Sequence, residues 1–100
     1  KEAGRADTKY ALAEFNLGNL YDEQGRLADA LAHYRRALVL NPQYADAHFN
    51  LALLCERVGD PLKAVQHWQH YLKLDRSGTW ADIARRQLER LRQNTVIGRR

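Results

Sequence analysis

The chain has 100 residues, a formal net charge of +4, 45% hydrophobic residues and one cysteine, enough for one small domain and no more. Cys55 alone excludes an internal disulfide and fits a reducing compartment, so a cytoplasmic location is expected. No apolar run approaches the roughly 18 residues of a membrane span, no secretory signal is visible, and the charge is uneven: the seven arginines from Arg76 onward meet only Asp82 and Glu89, whereas residues 1–75 sum to −1.

Residues 1–8 are small, polar and unpatterned, and read as a disordered lead-in in which Asp7 or Thr8 can cap the helix that follows. Ala13, Leu17, Leu20 and Tyr21 recur at helical spacing and predict a first helix from about Lys9 to Gln24, broken by Gly25. A second helix is expected from about Leu27 to Leu40, with Ala30, Leu31, Tyr34, Ala37 and Leu38 on its buried face. Asn41-Pro42 stops it, because proline lacks an amide hydrogen and restricts the residue before it. A third helix should span about Ala45 to Val58 and end at Gly59. Asp60-Pro61 then supplies an N-cap and a first-turn proline for a fourth, to Leu74. After Asp75-Arg76-Ser77-Gly78, Thr79-x-x-Asp82 resembles a capping box for a fifth helix from about Trp80 to Gln93. Its apolar set is Trp80, Ile83, Ala84, Leu88 and Leu91. Residues 94–100 have no pattern and read as a basic tail.

Residues 11–44 recur as residues 45–78. At an offset of 34, eleven identities align without a gap: Ala11/Ala45, Ala13/Ala47, Phe15/Phe49, Asn16/Asn50, Leu17/Leu51, Leu20/Leu54, Gly25/Gly59, Ala30/Ala64, His33/His67, Leu38/Leu72 and Leu40/Leu74. A fixed period of this size marks a repeat array. The periodicity alone gives two helical hairpins in tandem.

The residues at particular places in the period go further. Leu17, Gly18, Tyr21, Ala30, Tyr34, Ala37 and Pro42 of the first unit fit the pattern of the tetratricopeptide repeat, and only Glu14 departs from it. The second unit is a looser fit, with His48, Leu51, Ala52, Cys55, Ala64, Trp68, Tyr71 and Arg76. The chain thus resembles the C-terminal repeats and capping helix of a tetratricopeptide-repeat protein. That resemblance implies an all-α fold, a right-handed α-solenoid of two helix-turn-helix units (11–44 and 45–78) within a domain of residues 9–93, capped by residues 79–93. The helix carrying Tyr10 and Glu14 would then be an uncapped edge. It would meet a further repeat of a longer array or a second copy of the chain.

The family's function is non-catalytic binding of a protein or peptide in a concave groove. Carried over, the groove positions are Leu12, Phe15, Asn19, Asp22 and Glu23 in the first unit, and Asp46, Phe49, Leu53, Glu56 and Arg57 in the second. The bland reading of Phe15 and Phe49 is that they cover helix junctions. Some relatives grip a partner's C-terminal carboxylate with a clamp of asparagines and cations. Asn19 and Asn50 match that clamp, but Phe15, Trp80 and Ala84 stand where its cations would be, so the clamp is not expected.

Other constellations are weaker. His67-x-x-His70 has the spacing of a metal-binding pair, but nothing in the sequence completes it, and His33 at the equivalent place in the first unit reads as a repeat habit. His48 and Cys55 fall on packing positions, where a thiol is inert. No metal, cofactor or enzymatic activity is expected, since no paired carboxylates, phosphate loop or nucleophile–base pair is present. Arg85, Arg86, Arg90 and Arg92 on the fifth helix are candidates for an acidic partner or for nucleic acid, as in an accessory domain of a bacterial regulator. The plainer account is that they form the solvated face of a cap, and nucleic acid is the weaker of the two partners.

Overall fold

Each interruption of the helical pattern coincides with a helix end in the computed structural model, which describes residues 7–98. Five helices lie among the described residues: α1 (Thr8–Glu23), α2 (Leu27–Leu40), α3 (Ala45–Arg57), α4 (Pro61–Leu74) and α5 (Thr79–Gly98). No described residue is in a strand, and the fold is all-α as expected. α2 and α4 keep the 34-residue offset at both ends, from 27 to 61 and from 40 to 74.

The turns repeat with the helices. Gly25 (φ 78) and Gly59 (φ 84) are left-handed, a backbone region that costs a side chain. Each ends its helix in the same way. Arg26 N–H donates to Tyr21 O at 2.9 Å and Gly25 N–H to Asp22 O at 3.0 Å. One period later Asp60 N–H donates to Cys55 O at 2.8 Å and Gly59 N–H to Glu56 O at 3.2 Å. These paired bonds satisfy carbonyls that a helix end leaves open, as in a Schellman motif. Asp60 then caps α4, its side chain accepting from Lys63 N–H at 3.3 Å ahead of Pro61. Arg26 makes no such cap and pairs instead with Asp29.

The chain divides into two compact units after Ala47. In the first, Asp7 caps α1, and its N–H also donates to Leu40 O at 2.8 Å, joining the start of α1 to the end of α2. Gly18 lets the two helices approach. A Cβ there would lie 2.6 Å from the ring of Tyr34, which is itself buried. Ala11, Ala30 and Ala37 complete this thin core of small residues around one large ring.

The second unit packs larger groups. Trp68 is fully buried, and Phe49 meets it edge-on at 4.9 Å, with Tyr71 at 5.1 Å and Trp80 at 5.4 Å from the same phenyl ring. Such edge-to-face contacts suit the ring quadrupoles. Ala81, Ala84, Leu88 and Leu91 of α5 are buried. They recur at helical spacing, opposite a charged face.

One apolar stripe is uncovered, and two expectations need correction. Ala13, Leu17 and Leu20 are exposed, and the covered face of α1 is Ala11 and Gly18, flanked by half-buried Glu14, Phe15 and Tyr21. Periodicity finds an apolar stripe but not what covers it. Thr8 belongs to α1 and Asp7 to its cap, so the lead-in stops short of both, and residues 1–6 lie outside the described residues. α5 continues to Gly98, through the start of the expected tail. Residues 94–97 hold no glycine or proline to stop it, and residues 99 and 100 lie outside the described residues.

Candidate functional site

The five groove positions of α1 fall on one side of the helix, with unequal exposure. Leu12 and Glu23 are exposed. Phe15 is half-buried between Tyr34, at 5.8 Å, and Tyr44, at 5.0 Å. Asn19 and Asp22 are half-buried, and the carbonyl oxygen of Asn19 accepts from the Tyr34 hydroxyl at 2.5 Å. That bond fixes the amide, with its NH2 group turned away from Tyr34. Tyr44 has its phenol pKa raised, first by burial and then by the negative charge of Asp46.

The equivalent positions of α3 are more committed to structure. Phe49 is buried among Trp68, Tyr71 and Trp80, so its bland reading as a junction cover describes it. Glu56 accepts from Trp68 Nε1 at 2.8 Å and also holds the Arg90 guanidinium. A half-buried carboxylate with two donors is a structural ion, because removing either donor leaves charge that water does not fully reach. Asp46, Leu53 and Arg57 are exposed.

The arginines of α5 divide in the same way. Arg90 is tied to Glu56 and Gln87. Arg85 bonds Asp82 at 2.9 Å and the backbone oxygen of Arg76. Arg86 and Arg92 are exposed. Half of the predicted cationic contact face is therefore spent within the second unit. A surface depression beside it is lined by Gln69, Leu72, Lys73, Arg76 and Leu88.

The histidines hold a pattern that the sequence reading missed. Glu14 Oε1 lies 2.6 Å from His33 Nδ1, and one period later His48 Nδ1 lies 3.1 Å from His67 Nδ1. The residue that departs from the repeat pattern is thus bonded, in both hairpins, to the histidine 19 residues on. The recurring His33/His67 is the signal of this pattern in the sequence. His70 stacks on His48 at 4.9 Å. A third histidine does join the His67-x-x-His70 pair, yet among the described residues no group of three or more metal-ligating side chains is placed to hold an ion. Cys55 is buried and forms no disulfide.

Residues 18–59 match the family model described as TPR repeat. Over those residues the chain is similar to the tetratricopeptide repeat. Among solved structures, this chain resembles the crystal structure of MamA, with a TM-score of 0.78 at 22% identity, over 85% of this chain and 48% of that one. It resembles the first repeat domain of Spaghetti (RPAP3) bound to the HSP90 peptide SRMEEVD, with a TM-score of 0.75 at 25% identity, over 88% and 73% of the two chains. A tetratricopeptide repeat protein from Parabacteroides merdae gives 0.74 at 26% identity, over 84% and 33%. The chain thus spans about half the length of MamA and a third of the Parabacteroides protein. No curated protein gives a match. No helix among the described residues is long and apolar enough to cross a membrane.

Proposed function

We propose that this tetratricopeptide chain is a non-catalytic interaction module that receives a peptide segment of a protein partner on its exposed groove residues, those of α1 and those of α3 each taken by themselves. The observation that carries this reading is the exposure of Leu12 and Leu53 among polar neighbours. An exposed leucine on a helix that also carries polar groups, Asn19, Asp22 and Glu23 on α1 or Asp46 on α3, can seat a partner's apolar group while the polar ones fix its orientation. The Spaghetti repeats, of similar fold, are bound to a peptide, which supports the same mode of use. Phe49 and Glu56 act in this scheme as supports, and Arg57, which is exposed, is the one cation among the groove positions.

The charge of those positions selects the ligand. Asp22, Glu23 and Asp46 outnumber Arg57, and Phe15, Trp80 and Ala84 offer no cation to a carboxylate. A peptide with a large apolar side chain flanked by lysine or arginine fits, and an acidic C-terminal tail does not. Selection from a random displayed-peptide library tests this. Basic–apolar sequences should be enriched. Leu12→Ala and Leu53→Ala should each weaken the best peptide by about tenfold, near 1.4 kcal/mol. Enrichment of acidic peptides, or affinity unchanged in both variants, would contradict the assignment.

A further inference from the structure

α1 carries a second apolar face, apart from its groove positions. Tyr10, Ala13, Leu17 and Leu20 are spaced by three, four and three residues, and all four are exposed. At about 100° per residue they form one stripe, about 130° round the helix from Ala11 and Gly18. Its composition is that of a covered stripe. One period later the same residues, Ala47, Leu51 and Leu54, are buried.

We propose that this stripe pairs with the same stripe of a second copy, the two α1 helices running antiparallel about a two-fold axis. A two-fold contact requires that residue i touch residue j while j touches i. The stripe meets that condition, because Tyr10 and Leu20 are equidistant from residue 15, and so are Ala13 and Leu17. Tyr10 then packs on Leu20 of the other copy. The small Ala13 accommodates the other copy's Leu17, so large and small alternate across the contact.

The charges select the same arrangement. Lys9, Asn16 and Glu23 are spaced by seven and lie along one flank of the stripe, all exposed. In an antiparallel pair the same flanks meet. Lys9 faces Glu23 of the other copy twice over, and Asn16 faces its own symmetry mate. Each helix start also lies beside the other helix's end, where the macrodipoles attract. A parallel pair would bring Lys9 to Glu14, which His33 already holds at 2.6 Å. A helix of 16 residues is only about 24 Å long. The contact is smaller than a standard stable interface, so the dimer is weak and forms with rising concentration. It leaves Leu12, Phe15, Asn19 and Asp22 on another face of α1 and shares only Glu23 with the groove positions, and it does not depend on the peptide-binding reading.

The test is thiol cross-linking with sedimentation equilibrium on the whole chain. Asn16→Cys should cross-link to itself under mild oxidation, faster as concentration rises, while Glu23→Cys should not. Cys55 is buried and can be left in place. Lys9→Glu should weaken dimerisation at least about tenfold, and adding Glu23→Lys should restore it. Leu17→Lys should leave a monomer of unchanged helix content. A wild-type monomer at millimolar concentration would overturn the proposal. So would Glu23→Cys linking to itself as fast as Asn16→Cys, or a charge swap that fails to restore association.

Discussion

α1 and α3 carry the same apolar triplet in opposite surroundings. Leu51 is 1% and Leu54 0% exposed, whereas Leu17 is 37% and Leu20 47% exposed. Ala47 is buried and Ala13 exposed. The residues are identical and sit at the same place in the period, so intrinsic hydrophobicity does not account for the difference. What differs is coverage. The hydrophobic contribution scales with area removed from water, so one side-chain set stabilises α3 and leaves α1 with a surface still to be covered.

The largest effect should come from breaking the heavier of the two hairpins. Trp68→Ala removes a fully buried indole and takes a donor from Glu56. It should cost about 3–5 kcal/mol in urea unfolding. Leu51→Ala and Leu54→Ala should follow at about 2–5 kcal/mol each, while Leu17→Ala in dilute solution should cost about 0.5 kcal/mol or less, the usual range for a surface change. Near-equal costs at the two sites would end the comparison. Gly18 and Ala52 sharpen it on the backbone side. Gly18→Ala should gain helix propensity yet destabilise by about 1–3 kcal/mol, since its new methyl would meet the buried Tyr34 ring at 2.6 Å.

The smallest effect is a pH dependence. The pKa of Tyr44 is raised in the folded chain, chiefly by burial. Its contribution is therefore whole below the unfolded value near 10.0 and is lost as pH rises through the higher folded value. Urea midpoints should fall at alkaline pH, and Tyr44→Phe should flatten that fall. An identical alkaline loss in the variant would assign it elsewhere.

Turn chemistry made the helices legible. Gly25, Asn41-Pro42, Gly59 and Asp60-Pro61 act locally, so the sequence alone places α2 and α4 at their observed bounds. Coverage is not local. The stripe of Leu17 and Leu20 reads as buried until its neighbours are known, and Glu56 reads as a groove carboxylate until Trp68 and Arg90 are found on it. The partnership of His48 with His67 was hidden for the same reason, since a departure from the repeat pattern does not name the residue that compensates for it. The run into Gly98 shows the converse, a helix continuing where nothing in the sequence stops it.

The most direct test of uneven coverage is the urea midpoint of the chain and of Leu17→Ala and Leu51→Ala, followed across protein concentration. A surface that a second copy covers stabilises by mass action. The wild-type midpoint should rise with concentration, Leu17→Ala should lose that rise while matching wild type when dilute, and Leu51→Ala should be low throughout but keep the rise. A wild-type midpoint independent of concentration, or a Leu17→Ala loss as large as that of Leu51→Ala at every dilution, would contradict the account.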